Sequence, residues 1–284
     1  MLLASTMNSK LNVLVAYPYM KQGLIQALVK HQHKINFLLD SGAFTAWNAG
    51  KPIALDDYCR FLDALPFKPW RYFALDVIGN PDKTMQNYKT MLARGYNPIP
   101  VFTPSQDFAD IEEYYKTTDM IGCGGLTTKY GAESVKYLRK VFQHVHGRKI
   151  HLLGYTKPEY VKHFRPFSCD SSSWTRAQRY GLCDLYVGQG KYLSFTRRQA
   201  AQHPKPHILE AIKRLGFTLT DFMTEANWRK SRNIARIASA RSWVKYMIDA
   251  EKAIDTRIFL ALGAVDDLEL AIENWGYWNE HRSA

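Results

Sequence analysis

Short runs of apolar and β-branched residues alternate with stretches whose apolar positions recur at helical spacing. Asn12–Pro18 (NVLVAYP) reads as a strand and Lys21–His31 as the helix after it. Ile35–Asp40 is a second strand with a helix at Leu55–Leu65, and Arg71–Val77 a third with Asp82–Arg94. Pro98–Thr103 and Phe108–Lys116 make a fourth unit, Asp119–Gly124 and Ala132–His146 a fifth, Ile150–Gly154 and Pro158–Phe164 a sixth. Pro166–Asp170 and Asp184–Gly188 supply the seventh and eighth strands, and His207–Leu215 the closing helix. Eight such units predict an α/β fold, a (β/α)8 TIM barrel. A doubly wound open sheet shows the same alternation. The barrel is favoured because Asp40, Asp76, Gly124–Gly125, Gly154 and Asp170 all fall at or just past strand ends, which only a barrel gathers at one mouth. Residues 1–215 are expected to form the barrel domain. Residues 216–284 read as a basic helical extension packed on it, with a long amphipathic helix at Ser231–Ala250.

Composition narrows the function classes. Of 284 residues, 46% are hydrophobic and 23% charged, which suits a globular protein and excludes a fibrous or disordered chain. No stretch approaches the ~20 apolar residues of a membrane span, and the start of the chain lacks the charged n-region of a signal peptide. A cytoplasmic protein without membrane partners is the expectation. Four cysteines (Cys59, Cys123, Cys169, Cys183) show no CxxC pairing, so neither a metal site nor a disulfide framework is expected, and no cofactor is implied. Lys+Arg exceed Asp+Glu by 38 to 26. The surplus of +12 points to an anionic partner, most commonly nucleic acid. From Lys191 to Lys245 twelve basic residues face three acidic ones. There Arg229, Arg232 and Arg236, at i, i+3, i+7, would line one helix face opposite the apolar one, among the aromatics Trp228 and Trp243.

The candidate chemistry lies in the strand-end carboxylates. Asp40 in LLDSGAFTAW and Asp76 in YFALDVIGNP place two acids on neighbouring strands, where like charges repel unless a proton or ligand intervenes. Asp170, in FSCDSSSWTRAQRYG, can attack an electrophilic carbon such as C1′ of a nucleoside. Arg176 and Arg179, three residues apart, could grip phosphates. Gly124–Gly125–Leu126 offers main-chain amides to a planar base. Each acid taken alone also fits a helix-capping or turn role.

Four motifs in order, LLDSGAF, ALDV, GGL, and LLGYTKPE followed by D-x4-TRxxRxG, resemble the tRNA-guanine transglycosylase superfamily over residues 35–181. The resemblance implies a TIM barrel that exchanges guanine in nucleic acid for a free 7-deazaguanine base. It implies that Asp170 is the nucleophile, Asp40 the general acid/base and Asp76 the carboxylate reading the base's amino edge. Ser41 and Gly125 would contact the base, Phe44 and Leu153 would sandwich it, and Gly124, Leu126 and Gly154 would line the pocket. Arg176 and Arg179 would contact the polynucleotide. The CxCxxC zinc run of the tRNA enzymes is absent, and Phe102–Thr103–Pro104 stands where they carry a base-reading glutamine. As a compact, basic, zinc-free relative the chain is most similar to phage-encoded DNA guanine transglycosylases, whose product DNA resists restriction. DNA and a free 7-deazaguanine (preQ0 or preQ1 type) are therefore the expected partners. Exchange on tRNA, and a non-catalytic barrel that binds single strands, are the other readings.

Overall fold

A computed structural model describes residues 10–126, 132–176, 182–196, 198–199, 206–229 and 232–281. Among these residues it shows an α/β fold with ten strands, eight of them in one all-parallel sheet. In chain order the strands are β1 (Leu11–Ala16), β2 (Ile35–Asp40), β3 (Arg71–Tyr72), β4 (Val101–Phe102), β5 (Met120–Cys123), β6 (Lys149–Leu152), β7 (Ser168–Ser171), β8 (Leu182–Gly188), β9 (Lys191–Thr196) and β10 (Arg257–Leu262). Helices α1 (Gln22–His31), α2 (Ala43–Asn48), α3 (Leu55–Ala64), α4 (Pro81–Ala93), α5 (Ala109–Tyr115), α6 (Ala132–Val145) and α7 (Pro158–Phe164) lie between the first seven in the chain. All six residues of β1 are buried, as a parallel strand covered on both faces requires. Local chemistry sets the helix starts: Asn80 accepts from Lys83 N with Pro81 in the first turn, and Pro158 opens α7.

The strand order of the parallel sheet is β3-β2-β1-β10-β7-β6-β5-β4. Between the outermost strands, Phe73 and Ile99 form an isolated parallel bridge, with Ile99 N donating to Tyr72 O and Ala74 N to Ile99 O, both at 2.8 Å. Register pairs His151 with Ser168 and Phe259 with Asp170, so these side chains share one face of the sheet. Along that face Leu14, Leu38, Phe73, Ile99, Val101, Met120 and Phe259 form one buried cluster, with Leu153 packed against it.

Two expectations about the later chain fail. The segment expected as the eighth barrel strand, Asp184–Gly188, belongs instead to β8, which pairs antiparallel with β9 in a separate hairpin. The eighth parallel strand is β10, inserted between β1 and β7. The chain accordingly does not divide at residue 215. One compact unit runs to Ser171 and resumes at Thr256–Val265; the other comprises Ser172–Asp255 and Asp266 onward. In this second unit β8 packs against the long helix Ile234–Ile254 and the helix Pro206–Arg214, around Cys183, Leu185, Phe195, Ile212, Phe222 and Ala238.

The arginine stripe is not formed. Arg229 ends the short helix Glu225–Arg229 and pairs with Glu225, while Arg232 lies in the turn before Asn233 caps the long helix. Arg232 pairs with Asp266 and Glu273, and Arg236, only 6% exposed, pairs with Asp266 and the buried Asp267. Two arginines of the basic run 191–245 therefore meet an acidic helix, Val265–Glu280, that lies outside that run. Counted by unit, the sheet-bearing unit holds 22 Lys+Arg against 14 Asp+Glu, so it carries eight of the twelve surplus charges. Removing one partner of a buried ion pair strands the other. Arg236→Ala is expected to cost about 3 kcal/mol or more in a urea melt, whereas Arg229→Ala, which removes an exposed pair, changes stability by less than about 1 kcal/mol.

The four cysteines are unpaired and buried. Among the described residues, no helix is long and apolar enough to cross a membrane.

Candidate active site

Three carboxylates stand at the carboxyl ends of the parallel strands: Asp40 at the last residue of β2, Asp76 shortly after β3, and Asp170 within β7. Ligands of parallel α/β sheets bind at this end. The chain around each acid is held firmly.

Asp40 Oδ2 accepts from Gly42 N at 3.0 Å. Gly42 has φ 77°, and a Cβ there would lie 2.1 Å from Pro18 Cδ, so only glycine fits this turn into α2. The Asp76 segment is tethered on both sides. Tyr58 Oη donates to Phe73 O (2.9 Å), Asn87 Nδ2 to Leu75 O (3.0 Å), and Val77 N to Thr84 Oγ1 (2.9 Å). Ser41, fully buried, donates from Oγ to Asp76 Oδ1 at 2.9 Å.

Asp170 is 6% exposed, and one of its oxygens carries two contacts: Oδ1 accepts from Gly154 N at 2.8 Å and lies 3.1 Å from His151 Nε2. On the other side of the ring, His151 Nδ1 is 2.8 Å from Ser168 Oγ. His151 is wholly buried, with ring centroids 5.2 Å from Phe73 and 6.0 Å from Phe259. A carboxylate can only accept, so Nε2 carries the proton; in the neutral ring Nδ1 then accepts from the Ser168 hydroxyl. Among the described residues Asp170 Oδ2 has no hydrogen-bond partner.

The acids also sense one another. Burial, then the negative charges of Asp76 and of Asp170, push Asp40 up to about 7. Burial raises Asp76 as well, opposed by the hydrogen bond from Ser41. At neutral pH Asp40 is thus poised between acid and base forms, the condition for moving a proton in either direction.

The structure brings together Asp40, Asp76, Asp170, Ser41 and Gly154, but two of these serve differently from the expectation of direct base contact. The Ser41 hydroxyl is used on Asp76 and the Gly154 amide on Asp170. The Gly124 amide is committed to Phe102 O at 2.9 Å, and Leu126 is a core residue, 1% exposed. At Gly125 a Cβ would meet Pro104 Cγ at 2.4 Å with φ +70°, so this glycine is required by the turn itself. Leu153 is half-buried, and Phe44 is 43% exposed with its ring 6.1 Å from that of Trp47. Arg176 is exposed in the second unit, 4.0 Å from Asp184, and Arg179 lies outside the described residues.

His151 and Ser168 escaped the sequence reading. The one available signal was a polar residue inside the apolar run IHLLG. Gln106 escaped it too: buried, it accepts from Thr103 N (2.8 Å) and donates to Tyr114 Oη (2.8 Å), fixing the loop after β4. Among the described residues no group of three or more His, Cys, Asp or Glu is placed to hold a metal ion. Comparison with protein-family models, with curated proteins and with solved structures finds no match.

Proposed function

We propose that the sheet closes into a (β/α)8 barrel through the Phe73–Ile99 bridge and that its mouth exchanges guanine in DNA for a free 7-deazaguanine base. The observation that carries this reading is the asymmetry of Asp170. Its Oδ1 is held by Gly154 and His151, while Oδ2 is left to form a bond.

In the first displacement Asp170 Oδ2 attacks C1′ of the target nucleotide. The C1′–N9 bond breaks, its electron pair leaves with guanine, and protonated Asp40 supplies the proton the leaving base needs. The product is a sugar–Asp170 ester. In the second displacement N9 of the incoming base attacks C1′, gives its proton to Asp40, and returns the electron pair to the Asp170 carboxylate. Two inversions retain the configuration at C1′. Asp76, oriented by Ser41, accepts from the amino group that guanine and its 7-deaza analogue share. A pentosyltransferase of this kind protects DNA by changing a base that restriction enzymes read.

The direct test is incubation of the protein with DNA or tRNA and labelled guanine. Label entering DNA supports the reading; label entering only tRNA, or neither, overturns it. His151 provides a sharper check. Phenylalanine matches the ring's shape between Phe73 and Phe259 but removes one charge-assisted hydrogen bond to Asp170, an interaction typically worth ~1.5–3 kcal/mol. His151→Phe is expected to slow exchange about 10- to 100-fold with the fold intact by circular dichroism. His151→Gln, which can still donate, is expected to recover part of the loss.

A further inference from the structure

Six large hydrophobic side chains stand open to solvent among the described residues, and three are aromatic rings on the two segments that leave β1 and β2. Tyr19 (42% exposed) ends the turn after β1; Phe44 (43%) and Trp47 (57%) lie on α2, directly after Asp40. The two segments are locked together where Gly42 closes on Pro18. Each also carries a lysine just beyond its rings, Lys21 and Lys51. Both lysines are exposed, and neither joins a salt bridge among the described residues. Lys51 is anchored to α2 through its amide, 2.9 Å from Ala46 O. Elsewhere in this unit Arg60, Arg94 and Arg148 are paired with Asp57, Asp56 and Glu112.

Burying apolar area drives aromatic rings inward, so rings left outside beside unpaired cations form a surface suited to a partner with flat apolar faces and negative charge. Single-stranded nucleic acid has that combination: base faces stack on aromatic rings while phosphates meet lysines. We propose that Tyr19, Phe44 and Trp47, flanked by Lys21 and Lys51, form a stacking platform for single-stranded DNA. It holds the bases beside the nucleotide being exchanged. The inference rests on the transglycosylase reading for its choice of strand and for the role of the neighbouring site. It implies that the target is presented unpaired, since a base within a duplex has no free face.

The experiment measures binding of the full chain to a fluorescently labelled, mixed-sequence single-stranded DNA 20-mer by anisotropy over a range of salt. Trp47→Ala is expected to raise Kd about tenfold or more, and Trp47→Phe to stay within about threefold of the parent. Lys21→Glu with Lys51→Glu is expected to flatten the dependence of log Kd on log salt by about 0.7 for each phosphate that a lysine no longer neutralises. Because Trp47 is more than half exposed, its replacement leaves the core intact, which a thermal melt verifies. A Kd for Trp47→Ala within twofold of the parent overturns the platform. So does a parent protein that sediments as a dimer and becomes monomeric in Trp47→Ala, since the rings would then join two copies. The guanine-exchange assay separates the two claims. Exchange with Trp47-independent binding removes the platform and leaves the enzyme; Trp47-dependent binding without exchange removes the enzyme and leaves the platform.

Discussion

Asp170→Asn is expected to give no covalent protein–DNA species on a denaturing gel and to reduce guanine exchange by a factor on the order of 10⁴ or more. The geometry makes this substitution informative. Gly154 N and His151 Nε2 both donate toward Oδ1, so the asparagine carbonyl will occupy that position and its amide nitrogen will take the place of Oδ2. The reacting position then holds a group with no available electron pair, inside otherwise unchanged surroundings. The fold is therefore expected to survive, and loss of the adduct reports on chemistry alone. An adduct that persists in Asp170→Asn would assign the nucleophile to another residue.

Asp40→Asn is expected to act on turnover and on stability in opposite directions. Removing the proton carrier slows exchange by ~10²–10⁴-fold while leaving Asp170 able to form some adduct. For stability, the native state holds the Asp40 proton up to about 7, whereas an unfolded aspartate releases it near 3.8. Between those values the native protein binds more protons than the unfolded chain, so Asp40 makes stability fall as pH rises and levels off above about 7. Asparagine removes that penalty and can still accept from Gly42 N. The variant is expected to be more stable than the parent by on the order of 2–4 kcal/mol at pH 8, with the difference vanishing near pH 4. Urea melts at the two pH values measure it. A variant less stable at pH 8 would mean that the Asp40 charge is compensated in the native protein.

Much of the sheet was legible because its strands are buried on both faces and read as unbroken apolar runs. Ile35–Asp40 and Pro158–Phe164 match the structure end to end, and most other elements do so within a few residues. Strand partners were not legible. LCDLYVG and RIFLAL are equally good strands by composition; only tertiary packing decides that the first turns back on β9 and the second joins β1 and β7. RIFLAL reads as part of a helical stretch because helices flank it on both sides. The arginine stripe presupposed one continuous helix, although Asn233, a strong N-cap residue ahead of the periodic run, marked where the long helix begins. At the site, the strand-end acids announced themselves. His151 did not, because a lone histidine in an apolar strand is commonly a satisfied core residue, and the partners that give it a role come from a strand whose register no linear pattern reveals.

The position of β10 has a consequence for how the protein is made. Its neighbours β1 and β7 have both left the ribosome long before Arg257, yet neither edge can be satisfied until β10 arrives. At translation rates of ~5–20 residues per second, the stretch from Ser171 to Leu262 takes on the order of 5–20 s to synthesise. For that interval the nascent chain carries two open strand edges, the state most prone to pairing with a neighbour on the same message. Synthesis halted anywhere before Arg257 leaves the gap permanent. The last strand to be translated thus acts as the commitment step of the sheet, and a stop codon even a few residues ahead of it would yield a chain whose parallel sheet cannot be completed.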